Sequence, residues 1–378
     1  MPLYLDYNAT SPVLPEVLDE MIHVYREHYG NASSRTHLYG QDADQVVSDA
    51  RRAVAKLLNV ESDEVVFTSG ATESDNLAIL GLARWGAEEG RRHIVSTGIE
   101  HKAVLEPLAY LSGRGFEVDL VPSDESGRVK ASDVLSRVRQ DTLLVTVMHA
   151  NNETGIIQPV DEIGRALKNS PTYFHTDAAQ TYGKLVDDVR SLDYDLLSLS
   201  GHKVFAPQGI GALVVRRRHH DRVPVQPITF GGGHESGLRP GTSPVALIAG
   251  LGKASRIADN NWRRWAQHAD SLREQALGQL REVAFQLNGD QAFAMRHCLN
   301  VSFPGVDSEA LMVATKYEMA ISNGSACTSH EYGQSHVLVS MGLPADRIAQ
   351  SVRISWGPQV TQIDLRPLIR VISDLQLS

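Results

Sequence analysis

An α/β fold built on a mostly parallel sheet is what this 378-residue sequence predicts, and three observations predict it. Short apolar, β-branched runs alternate with segments of helical spacing through the first two thirds of the chain, the pattern of strands covered by helices on both faces. After about Val245 the texture changes to a long charged helical stretch followed by a few short strand signals, which reads as a second, smaller α+β domain. Hydrophobic residues make up 42% and charged residues 21%, enough to bury a core of this size without disulfides or a structural metal.

The candidate strands are Val65–Ser69, His93–Gly98, Val118–Pro122, Leu143–His149, Tyr173–Thr176, Leu196–Ser200 and Ala212–Arg216, which make a seven-stranded sheet. Helical spacing fills Ser74–Gly86, Lys102–Gly115, Ala131–Val138 and Val160–Lys168 between them. The pattern does not set the strand order. Further on, Leu247–Leu287 reads as a long helix, Leu299–Phe303 and Val352–Trp356 as strands, and a last helix starts at Gln362. Gly231-Gly232-Gly233 opens a flexible loop that ends at Gly241-Thr242. There is no internal repeat and no low-complexity tract.

The net charge of −9 argues against a protein built to hold nucleic acid, which carries a basic surplus. Two basic clusters, Arg216-Arg217-Arg218-His219-His220 and Arg263-Arg264, read as solvated surface charge that is also able to dock an acidic partner. The two cysteines, Cys298 and Cys327, make no disulfide framework and fit a reducing compartment. No signal peptide is visible, and no stretch approaches the ~20 apolar residues of a membrane span. A cytoplasmic protein is expected.

Several short segments carry chemistry, each with a plainer alternative. Ser200-Gly201-His202-Lys203 closes an apolar strand, where an α/β sheet meets its ligand. Lys203 is able to form a Schiff base with a carbonyl cofactor, or to be a surface lysine. His175-Thr176-Asp177-Ala178-Ala179-Gln180 closes another strand and puts Asp177 among apolar residues. A buried carboxylate there needs a cationic partner, such as a protonated ring nitrogen; otherwise it is a helix cap. Thr68–Ser74 runs from strand through small residues into helix, a phosphate cradle or a capping box. His101 begins a helix, and Asn151-Asn152-Glu153-Thr154-Gly155 suits a turn.

Gly324-Ser325-Ala326-Cys327-Thr328-Ser329 places a thiol on a loop of small residues, whereas Cys298 sits in an apolar run as a structural cysteine does. Arg353 stands alone in an apolar strand and wants a carboxylate, from a substrate or from an internal salt bridge. No metal-ligand spacing appears.

Together and in this order, these segments resemble the cysteine desulfurases of the class V aminotransferase group. The resemblance runs nearly end to end, from Leu5-Asp6-Tyr7-Asn8-Ala9-Thr10 through Gly30–Ser34, Gly70–Asn76, Glu100–Val104, Asn151–Gly155, His175–Gln180, Ser200–Lys203 and Arg239-Pro240-Gly241-Thr242 to Gly324–Ser329. The Gly-Ser-Ala-Cys-Thr-Ser segment marks the first of that family's two groups.

The resemblance implies a pyridoxal-phosphate (PLP) enzyme of fold type I. Its large domain would span residues 15–254, and its small domain residues 1–14 plus 255–378 with the cysteine loop. Lys203 would carry the cofactor and Asp177 would pair with its ring nitrogen. Gln180 would bond the ring oxygen, and His101 would stack on the ring and shuttle protons. Ala71, Thr72, Ser200 and His202 would bind the phosphate, and Thr242 would reach the phosphate of a neighbouring subunit, which implies a homodimer. Asn152 lies among the cofactor contacts and, with Arg353, would hold the substrate carboxylate. The implied reaction converts L-cysteine to L-alanine and leaves the sulfur as a persulfide on Cys327, for transfer to an acceptor protein; family members feed iron–sulfur assembly, tRNA thiolation, cofactor synthesis or DNA phosphorothioation, and the sequence does not choose among them. The Cys327 thiolate would need either a neighbouring base, for which His101 is the candidate, or a lowered thiol pKa.

The chain departs from the family after the cysteine. Where Leu-Glu-Pro is usual, it reads His330-Glu331-Tyr332-Gly333-Gln334-Ser335-His336. The bulkier residues lead to the expectation of a more ordered loop that holds Cys327 away from the cofactor. Two other functions fit part of the pattern. A selenocysteine lyase or class V aminotransferase would not use Cys327, and a non-catalytic scaffold would not need both Lys203 and Asp177.

Overall fold

The computed structural model describes residues 2–218, 220–324 and 334–376. A short strand β1 (Leu3–Tyr4), helix α1 (Pro15–Glu27) and helix α2 (Leu38–Leu58) precede the sheet. The two helices are not announced by the strand–helix alternation that follows. Each buries one stripe, Val17, Met21 and Val24 on α1 and Ala43, Val47, Ala50 and Val54 on α2, the spacing of a half-buried helix.

The sheet and its coverings then run β2 (Val65–Thr68), α3 (Ala71–Glu88), β3 (His93–Thr97), α4 (Lys102–Ser112), β4 (Glu117–Val121), α5 (Ala131–Leu135), β5 (Thr142–Thr146), α6 (Val160–Leu167), β6 (Tyr173–Asp177), α7 (Val186–Ser191), β7 (Leu196–Ser200) and β8 (Gly211–Val215). All seven strands fall where the apolar runs place them, to within a few residues. Their spatial order is β2-β8-β7-β6-β5-β3-β4. β7, β6, β5, β3 and β4 pair in parallel, and β8 is antiparallel to both its neighbours. Strands β5, β7 and β8 are buried at every position, which is why they read as continuous apolar runs and not as alternation.

A two-residue hairpin, β9 (Arg217–Arg218) with β10 (Asp221–Arg222), follows the sheet. α8 (Val245–Leu280) then runs unbroken for 36 residues and packs on α1 and α2. The helix expected over Leu247–Leu287 therefore ends seven residues early. Beyond it Val283, Phe285 and Leu287 alternate toward the core, a strand period, and β11 (Gln286–Leu287) pairs with β12 (Cys298–Ser302). After α9 (Ser308–Thr315), β13 (Met319–Ala320) lies parallel to β1. Next come α10 (His336–Ser340), α11 (Ala345–Ala349), β14 (Ser351–Ser355), paired with β12, and α12 (Arg366–Gln376).

The last helix begins at Arg366 and not at Gln362. The Gln279 side chain accepts from Leu365 N–H at 2.8 Å and donates to Ile363 C=O at 2.8 Å, holding that stretch extended. One apolar cluster joins the sheet, α2, α8, β12, β14 and α12. Among the described residues no helix is long and apolar enough to cross a membrane.

Candidate active site

The sheet delivers its functional side chains to one end. β6 ends at Asp177, β7 at Ser200, and the single turn Gly201–Lys203 follows directly. β2 turns into α3 through Gly70, whose φ of 157° and ψ of 179° suit only glycine. A Cβ on the facing Gly211 would lie 2.7 Å from Gly70 Cα, so the two backbones pack directly together. No side chain caps the N-terminus of α3, and its first N–H groups open on the cavity as an anion site.

That cavity, of about 530 Å³, is lined by Ala71, Thr72, His101, Asn152, Asp177, Gln180, Ser200, His202, Lys203 and Arg353. Of the residues expected at the site, two are not among them. Thr242 is exposed, at the end of a loop tied to the body where Arg51 grips Glu235 with two bonds of 2.7 Å. Cys327 lies outside the described residues, as does the expectation of an ordered loop around it.

The N-terminal segment closes the cavity. Lys203 Nζ donates to Asn8 C=O at 2.5 Å and to Ala9 C=O at 2.7 Å. Gln180 Nε2 donates to Asn8 C=O at 3.0 Å, while its buried Oε1 has no partner among the described residues. His202 Nδ1 meets Thr10 Oγ1 at 3.1 Å.

Charge in the cavity is poised. Asp177 is 7% exposed, and its Oδ1 accepts from Ala179 N–H at 2.8 Å. Burial pushes its pKa up to about 6, against that bond and the nearby Lys203 charge. Burial and the approach of Lys203 and His336 push His101 down to about 4, so its ring is neutral. Its Nδ1 accepts from Ala103 N–H at 3.1 Å, which puts the proton of the neutral ring on Nε2.

Arg353 makes the internal pair that was the plainer reading of it. It holds Asp6 Oδ1 at 2.6 Å and Asn152 C=O at 2.9 Å, yet it also faces the cavity, and among the described residues its buried Nε has no partner.

Sequence reasoning missed three carboxylates behind the cavity wall. Asp75 is fully buried, with His175 Nε2 3.5 Å from its Oδ1 and Ser198 beside it. Burial first, then Asp177, pushes Asp75 well above the usual range. Glu100 accepts from Thr97 Oγ1 at 2.7 Å and Met148 N–H at 3.0 Å. Glu153 is 2% exposed. The legible signal for Asp75 is its place three and four residues before Ala78 and Ile79, on the buried face of α3.

Burial raises Glu100 to about 8, and this sets a pH dependence. A carboxyl whose folded pKa exceeds its unfolded value is stabilising below the unfolded value, and that contribution is lost as pH rises through the folded one. The contribution of Glu100 to the stability of the cofactor-free protein is expected to fall between pH 4.5 and about 8, against the histidines His101, His149, His175 and His202, whose lowered pKa values act in the opposite direction below about pH 6.5. At about 1.4 kcal/mol per pKa unit, the loss is of the order of a few kcal/mol. Glu100→Gln should flatten that slope in thermal melts across the interval; an unchanged slope would assign it to another group.

The other candidate clusters are internally neutralised. Arg216, Arg217 and Arg218 pair with Glu64, Asp63 and Asp195, and Arg263 with Asp187. His93, Glu117 and Asp119 stand close enough to hold a metal ion, but Arg139 grips Glu117 and Arg137 lies 3.8 Å from Asp119. Cys298 is fully buried in β12, and burial pushes its thiol up to about 11.

Comparison with known proteins bears on the family and the fold. Residues 3–368 match the family model described as aminotransferase class-V. The cysteine desulfurase IscS of Vibrio vulnificus is 43% identical over 368 residues, which are 97% of this chain and 90% of the relative. Among solved structures, DndA from Streptomyces lividans is 48% identical with a TM-score of 0.83, over 93% of this chain and 98% of that one. SspA in complex with cysteine is 37% identical with a TM-score of 0.84, over 94% and 99%.

Proposed function

From the premise that this chain belongs to the class-V aminotransferases and, within them, to the cysteine desulfurases, we propose that it works L-cysteine in the cavity above Lys203 and Asp177 and passes the sulfur on through Cys327. The reading rests on one observation above the rest: Lys203, Asp177, Gln180 and the uncapped start of α3 line a single cavity. That set fits pyridoxal phosphate. The unpartnered Gln180 Oε1 suits the ring hydroxyl, and the buried carboxylate of Asp177 suits a ring cation. The N–H groups of Ala71 and Thr72, with Ser200 and His202, suit the phosphate. When bound, the cofactor supplies an aldehyde for amines and a sink for electrons released at the substrate α-carbon.

The chain's own groups do the rest. Arg353 and Asn152 hold the substrate carboxylate, with Asp6 turning the guanidinium into the cavity. Lys203, as a neutral amine, takes the α-proton. Neutral His101 presents an Nε2 proton, which suits it to donate a hydrogen bond. Until that proton moves, the ring has no free nitrogen for the Cys327 thiol, so in this tautomer the thiolate has to be formed by another group. The Cys327 thiolate attacks the substrate sulfur; an S–S bond forms, the C–S bond breaks, and its electron pair stays with carbon, which is protonated to alanine.

The two-domain division at 254/255 falls within α8, and the proposal keeps it as a functional boundary. A homodimer completed by Thr242 and a sulfur-acceptor protein belong to the same proposal.

Incubation with pyridoxal phosphate, L-cysteine and a reductant should release alanine and sulfide in equal amounts. Cys327→Ala should abolish both. Full alanine release by that variant would turn the reading to a lyase or aminotransferase that does not use Cys327.

A further inference from the structure

The family role assigns no task to Glu153, yet its surroundings do. We infer that Glu153 is the positioning residue for Cys327, the buried side chain on which both flanks of the cysteine segment are anchored. The inference rests on the desulfurase reading only for its consequence in turnover.

Three observations carry it. On the upstream side, Gly324 lies against the Glu153 side chain so closely that a Cβ there would stand 3.0 Å from Oε2 and 3.2 Å from both Cβ and Cγ. Its φ of 85° is left-handed, which favours glycine, and a Cβ there would press tightly on the Glu153 side chain. On the downstream side, Ser335 Oγ donates to the same Oε2 at 2.5 Å. Ser335 is 5% exposed and caps α10 by accepting from Leu338 N–H at 3.1 Å, so the bond fixes the start of a helix and not a loose side chain. In the sequence Cys327 follows Gly324 by three residues and precedes Ser335 by eight.

The third observation is how firmly the anchor is tied to the cavity. Glu153 N–H donates to Asn151 Oδ1 at 2.9 Å, and Glu153 C=O accepts from Asn300 Nδ2 at 3.1 Å on β12. The preceding residue is Asn152, whose carbonyl is held by Arg353 at 2.9 Å. Arg353 also pairs with Ser322 through the backbone, and Ser322 Oγ accepts from Gly324 N–H at 2.9 Å. Cavity wall and cysteine flanks are thus linked through one short, buried network. Burial raises the carboxyl of Glu153, opposed by the Ser335 bond and by the nearby His336 and Arg353. A neutral acid or amide keeps an oxygen that accepts from Ser335, so shape and acceptor matter here more than charge.

Glu153→Ala and Glu153→Gln separate a positioning role from a merely structural one. Two readouts are made on the cofactor-loaded enzyme: the rate of Cys327 alkylation by iodoacetamide, followed on its peptide by mass spectrometry, and alanine formation from L-cysteine. Glu153→Ala should change the alkylation rate at least about threefold and lower kcat about tenfold to a hundredfold, the scale of a misplaced reacting group. KM and cofactor absorbance should stay at wild-type values, and Glu153→Gln should restore both rates.

If Glu153→Ala fails to fold, Gly324→Ala and Ser335→Ala read the same two rates. Wild-type alkylation and turnover in the variants that fold would overturn the assignment. Alkylation does not depend on turnover. If Cys327→Ala retained alanine formation, the desulfurase reading would fall while the alkylation comparison still decided the anchor.

Discussion

A Lys203→Ala variant is expected to form alanine from L-cysteine at least about a thousandfold more slowly than wild type, the upper range for losing a positioned acid–base group. Lys203 ends the turn after β7, and its amine is drawn into the cavity by the carbonyls of Asn8 and Ala9 at 2.5 and 2.7 Å. Among the described residues no other lysine lines that cavity, so no aldehyde-binding amine remains there. Lys203→Arg should fail nearly as badly. It restores the positive charge and the two carbonyl contacts, but a guanidinium stays protonated and is no nucleophile. That arm tells loss of chemistry from loss of packing. Alanine release and the near-ultraviolet absorbance of bound cofactor are the measurements, with circular dichroism to show that both variants fold. Activity above a tenth of wild type in either would remove Lys203 from its assigned role.

The sheet was legible because its strands are buried on both faces. A run such as Leu196–Ser200, buried throughout, leaves no polar alternation to confuse its limits. The ends that went astray were decided by contacts far off in the chain. The long helix stops at Leu280, and the final one waits until Arg366, because β11 finds β12 and Gln279 ties down residues 363–365. The site divides in the same way. Side chains at strand ends, Asp177, Ser200 and Lys203, are visible as motifs because strand and turn deliver them. Asp6 meets Arg353 across 347 positions and Gly324 meets Ser335 only through Glu153. Such pairings arise from the packing of β14, β12 and the N-terminal segment, and no spacing along the chain encodes them. Arg353 shows the cost of reading one residue alone: substrate carboxylate and internal salt bridge were alternatives in the sequence, and the fold lets one guanidinium hold Asp6 while facing the cavity.

Asp177→Asn should separate stability from activity in opposite directions. The substitution keeps the size of the side chain and an oxygen to accept from Ala179 N–H, and it removes only the charge. In the cofactor-free protein that charge is a burden. Burial lifts the Asp177 pKa to about 6 from an ordinary 3.8, and Asp75 lies behind it, also buried. By the same linkage as for Glu100, a raised carboxyl stabilises fully below its unfolded pKa and loses that contribution as pH climbs through the folded value. Above pH 6 the native carboxylate is therefore ionised at a cost, and the amide avoids it. The cofactor-free variant should melt higher than wild type at pH 7.5 and level with it near pH 4. With pyridoxal phosphate bound, the order should reverse, because the carboxylate then has the ring cation it lacks. We expect cofactor affinity to fall at least about tenfold, and kcat/KM about a hundredfold to a thousandfold, the scale seen when one preorganised electrostatic partner is removed. Melts with and without cofactor, with alanine formation alongside, make the test. A variant less stable than wild type without cofactor, or as active as wild type with it, would show that Asp177 is a structural cap and not the counter-charge of the ring.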